Sequence, residues 1–116
     1  MAELVARGVT LDVCPTSNYQ ASNFASLADF PLRLLLDAGV PLTLSTDDRT
    51  VSDLTLVREY DRALRVLGAS VADLWRMNRH ALDVAFLHDD EPLRARLAAE
   101  FDAWAVAPVA EMAAPG

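Results

Sequence analysis

The sequence is 116 residues long, with 53% hydrophobic and 23% charged residues, a balance that predicts one folded domain and argues against a disordered chain. Seventeen acidic residues against ten basic ones give a formal net charge of −7, so nucleic acid and anionic membrane surfaces are expected to be repelled. The single cysteine, Cys14, leaves no internal disulfide framework, and neither a signal peptide in Met1–Arg7 nor a run near the ~20 apolar residues of a membrane span is legible, so a cytoplasmic location is expected.

Val9 to Cys14 is rich in β-branched and apolar residues and stops at Pro15, which predicts a strand. The polar stretch from Thr16 to Asp29 reads as a loop. Pro31 suits a first helical position, Leu32, Leu35 and Leu36 recur at helical spacing, and Gly39 follows as a stop, giving a short helix over Pro31–Ala38. Val40 to Thr46 reads as a second strand, closed by Asp47-Asp48. Strands joined by a helical crossover are expected to pair in parallel, as in a barrel, although two strands alone cannot close one.

Three helical patterns follow. The first runs from about Ser52 to Leu67, with Leu56, Tyr60, Ala63 and Leu67 on one face and Gly68 as its stop. The second opens on the capping box Ser70-Val71-Ala72-Asp73 and extends to Phe86. The third starts near Pro92 and carries Leu93, Leu97, Phe101 and Trp104. The segment 105–116, with Pro108 and Pro115, has no periodicity and is expected to be a disordered tail.

Asp47 and Asp48 follow directly on a predicted strand, where α/β barrels place catalytic groups. The same pair also reads as a turn or helix start, with one Asp capping and the other favoured by the helix dipole. Cys14-Pro15-Thr16-Ser17-Asn18 follows the other strand, so it is expected on the same rim. Cys14 has no flanking base or metal ligand and reads as an inert thiol. His80 and His88 are eight residues apart, roughly 12 Å along a continuous helix, so they cannot share one metal and read as structural or surface residues. Trp75 and Trp104 read as helix-packing residues.

Three blocks together carry a family resemblance: Glu3 to Asn18, ending in Cys-Pro-Thr-Ser-Asn; Pro31 to Val40; and Leu44-Ser45-Thr46-Asp47-Asp48. They resemble the last third of the adenosine deaminase family, and the likeness extends through Leu54–Tyr60 and Ala81–Leu87. The resemblance implies an α/β fold, the C-terminal fragment of a TIM-type (β/α)8 barrel, comprising its last two parallel strands and three to four helices over residues 1–104. It implies zinc as cofactor, with Asp47 as a metal ligand and Asp48 as a contact to the purine ring. The implied reaction is hydrolytic deamination of adenosine, or a related purine nucleoside, to inosine and ammonia.

The resemblance also implies a His-x-His pair, a third zinc-binding His, a proton-shuttling Glu and a His near the attacking hydroxide, none of which can be matched to a residue of this sequence. Arg49 stands where the family usually has Pro, Phe30 where it has His, His80 where it has Asn and Ala85 where it has Ser. The chain alone is therefore expected to be inactive and to bind zinc weakly. Self-association or a complementing N-terminal fragment is expected, as in one half of a split deaminase. The alternative from another class is a non-catalytic helical interaction module.

Overall fold

The computed structural model describes residues 1–21, 24–87 and 89–105. Six α-helices and two strands follow one another along these residues: α1 (Ala2–Arg7), β1 (Leu11–Val13), α2 (Pro15–Gln20), α3 (Leu32–Asp37), β2 (Leu42–Leu44), α4 (Leu56–Arg65), α5 (Val71–Val84) and α6 (Glu91–Ala105), with a 3-10 turn at Leu27–Asp29. The strands pair in parallel, with Leu11 opposite Leu42, Asp12 opposite Thr43 and Val13 opposite Leu44. α3 supplies the crossover between them, as the sequence predicts.

The alternation of each strand sorts its side chains by chemistry. Val13, Leu42 and Leu44 are buried and join Leu32, Val40, Ala63, Leu74 and Met77 in the core. α5 lies against β2, and α6 lies in turn against α5. Asp12, Thr43, Cys14 and Ser45 face the other way. There the Asp12 carboxylate accepts the Thr43 hydroxyl at 2.8 Å and the Ser45 hydroxyl at 3.0 Å.

Two helices exceed the expected three to four. α1 is closed by Gly8, whose φ of 62° lets its amide reach back to the Leu4 and Val5 carbonyls, and Leu4 packs on the core. α2 replaces the front of the stretch read as a loop. Pro15 takes the first helical position, and the Cys14 carbonyl accepts the Asn18 amide at 2.9 Å. α4 begins at Leu56 rather than Ser52, because Arg49 to Asp53 form a separate turn. The expected tail from 106 to 116 lies outside the described residues, whereas Ala105 closes α6. Trp75 stacks on Phe101 with ring centroids 4.1 Å apart, while Trp104 is 74% exposed rather than packed. Among the described residues no helix is long and apolar enough to cross a membrane.

The capping box of α5 is formed as the sequence predicts and does a second job. Asp73, only 3% exposed, accepts hydrogen bonds from the Ser70 amide at 2.8 Å, the Ser70 hydroxyl at 2.7 Å and the Arg33 guanidinium at 2.8 Å, which ties α5 to α3. Burial pushes the Asp73 pKa up, but the Ser70 and Arg33 hydrogen bonds outweigh it and hold the carboxyl well below the usual carboxylate range. A carboxylate with a depressed native pKa stabilises the fold above its unfolded pKa of about 3.9, and that contribution is lost as the pH falls toward the native value. Thermal melts should therefore place Asp73→Asn on the order of 5 °C below the parent at pH 7, with the gap closing below about pH 4. An unchanged gap at pH 3 would contradict this.

Candidate functional site

Parallel pairing places the ends of β1 and β2 on one rim, where Ser17 and Asp47 meet. Beyond β2, Asp47 has a φ of 58°, a left-handed conformation uncommon outside glycine and best tolerated by Asp and Asn. Its Oδ2 accepts the Ser17 hydroxyl from α2 at 2.8 Å, so each strand end contributes one partner. No described residue donates to its Oδ1. One carboxylate oxygen is held and the other is open.

Asp48 caps the turn that follows. Its Oδ1 accepts the Thr50 amide at 2.8 Å and the Val51 amide at 3.0 Å, while the Asp48 carbonyl accepts the Ser52 amide at 3.1 Å. The capping reading of the acidic pair thus holds for Asp48, and its Oδ2 takes no hydrogen bond from the described residues.

Behind Ser17 stands a residue that sequence reasoning missed. Glu59 of α4 is 0% exposed, and its carboxylate accepts the Thr16 amide at 2.8 Å and the Thr16 hydroxyl at 2.6 Å. Arg62 lies 3.9 Å from the same carboxylate and donates to the Thr16 hydroxyl at 2.6 Å. The clamp fixes the first turn of α2, and with it Ser17, against α4. One signal was available: Glu59 falls four residues before Ala63 and three after Leu56, beside the apolar stripe of α4.

The remaining candidates separate cleanly. Cys14 is half-buried, and its Sγ lies 3.1 Å from the Ser45 hydroxyl. Burial pushes its pKa up, the Ser45 hydrogen bond opposes this, and the carboxylates of Asp12, Asp47 and Glu59 add to the rise, which keeps the thiol protonated and inert. His80 bonds Thr10 through Nε2 at 2.7 Å. Thr10 precedes β1, so this contact lies at the end of the sheet opposite Asp47 and is structural. His88 lies outside the described residues. Among the described residues, no group of three or more His, Cys, Asp or Glu is placed to hold a metal ion.

Parallel strands joined by a helical crossover, with acidic side chains at their C-terminal rim, match part of the α/β barrel of the solved structures named below. The adenosine deaminase family profile matches residues 1–104, and the chain belongs to that family. It is 45% identical over 102 residues to the adenine deaminase of Sinorhizobium fredii, covering 84% of this chain and 31% of the relative. It is 41% identical over 87 residues to the adenosine deaminase of Lacticaseibacillus paracasei, covering 75% of this chain and 26% of the relative. Among solved structures, the adenine deaminase of Arthrobacter aurescens matches with a TM-score of 0.78 and 27% identity, covering 89% of this chain and 31% of that one. The N6-methyl-AMP deaminase of Arabidopsis thaliana matches with a TM-score of 0.76 and 29% identity, covering 92% and 31%. The chain therefore spans under a third of the length of these relatives.

Proposed function

We propose that this chain supplies the Asp47 and Asp48 corner of a zinc-dependent hydrolase that deaminates adenosine or a related purine. The observation that carries this reading is the rim geometry of Asp47. A side chain held in a left-handed backbone, with one oxygen fixed by Ser17 and the other open, is oriented toward something other than its own fold. In this reading, the open Oδ1 of Asp47 is a metal ligand, and the free Oδ2 of Asp48 contacts the purine. Relatives named as adenosine and adenine deaminases, and neighbours solved with IMP or GMP, support a purine substrate class.

Zinc in catalytic sites is held by three protein ligands. Asp47 supplies one, so the donors present do not complete a zinc site, and the rest must come from other parts of the assembled enzyme. Each edge of the two-stranded sheet carries no partner strand among the described residues, which favours association with further strands of the same polypeptide or another. The unit that enters such an assembly is residues 1–104. Equilibrium dialysis of the chain against zinc in the presence of a mild chelator tests the division of ligands: substoichiometric retention is expected, and near-stoichiometric zinc would refute it.

A further inference from the structure

Eight of the ten arginines stand within 4 Å of a carboxylate among the described residues. The other two, Arg49 and Arg58, have no carboxylate partner there, and both line one cavity of about 660 Å³ together with Thr50, Asp53, Leu54 and Thr55. In a chain of net charge −7, two guanidinium groups without a carboxylate partner line one cavity. Asp53 subtracts one charge among the lining residues, and Asp48 stands next to them on the same turn. The hydroxyls add donors: Thr55 Oγ1 accepts the Arg58 amide at 3.3 Å, which leaves its own proton free to donate.

The turn that Asp48 caps supplies part of the cavity's lining. Asp48 Oδ1 holds the amide of Thr50 at 2.8 Å, and the Arg49 carbonyl accepts the Leu54 amide at 3.1 Å, so Asp48 and the cavity are built on one turn. Guanidinium forks match phosphate oxygens bidentately, and threonine hydroxyls complete such a site. We propose that Arg49 and Arg58 form a subsite for the 5′-phosphate of a purine nucleoside monophosphate. The purine half of this inference rests on the reading of Asp48 above; the anion half does not.

Two-dimensional NMR titration of the full chain with AMP, adenosine and inorganic phosphate tests both halves. AMP and phosphate should shift the amide of Thr55 and the Nε signals of Arg49 and Arg58, whereas adenosine should leave them in place. The Arg49→Gln/Arg58→Gln double variant should weaken the AMP response about tenfold or more, with the rest of the spectrum unchanged, because charge-assisted hydrogen bonds are lost at an exposed site. Equal responses to AMP and adenosine, or an AMP affinity indifferent to the double substitution, would overturn the subsite. Shifts at the arginines with phosphate, while Asp48 ignores AMP and adenosine alike, would uphold the anion site and remove the purine reading.

Discussion

Asp47→Ala should reduce deaminase activity to background in a chimera where this chain replaces the matching 31% of the Sinorhizobium fredii adenine deaminase. A ligand on the metal both holds it and sets its coordination geometry, so its removal acts on occupancy and chemistry together. Metal content measured beside activity should fall with it. Asp48→Ala should behave differently. Loss of one charge-assisted hydrogen bond to the base corresponds to about 1.5–3 kcal/mol, or a tenfold to hundredfold fall in kcat/KM with zinc retained. Because Asp48 also caps the turn at Arg49 to Asp53, Asp48→Asn is the cleaner comparison: its amide oxygen can still accept the Thr50 and Val51 amides. An active chimera whose rate ignores Asp47→Ala would end the metal-ligand assignment.

Glu59→Ala should unfold the chain or bring it close. The substitution leaves the Thr16 amide and hydroxyl without their acceptor and strips the buried partner from Arg62. Removing a buried carboxylate together with its two Thr16 hydrogen bonds and its contact to the part-exposed Arg62 costs about 3–5 kcal/mol, against a total stability for a domain this size of roughly 5–15 kcal/mol. Glu59→Gln retains one acceptor oxygen and should lose about half as much. Urea unfolding reads the difference directly as a drop in midpoint at constant slope. A loss below about 1 kcal/mol for Glu59→Ala would mean that the clamp is ornamental.

The parts of the fold legible in the sequence were those set by local chemistry. Pro15 ending β1, Gly39 ending α3, the Ser70 capping box and the acidic pair after β2 each depend on neighbours within a few residues. α2 was not legible, because its polar residues lack an apolar period and its first turn is held by Glu59, 43 residues away in sequence. The bond from Ser17 to Asp47 spans 30 residues and exists only because the strands pair in parallel. The acidic pair itself invited two readings, chemical or capping, and the two carboxylates differ in their partners: Asp48 caps the following turn, while Asp47 accepts from Ser17. Thr16 and Ser17 lay inside the stretch read as a loop, so their partnership with two carboxylates was invisible without the third dimension.

The backbone at Asp47 bears on how this chain would drift over generations. A side chain in the left-handed region costs about 1 kcal/mol relative to glycine, and Asp47 bears that cost at a position exposed to solvent. A lineage retained for folding alone, or for a helical docking surface elsewhere, is free to substitute glycine there, which relieves the strain and gives up the Ser17 hydrogen bond. The non-catalytic alternative therefore tolerates glycine at position 47, whereas a metal-ligand role requires a side chain with an open oxygen there.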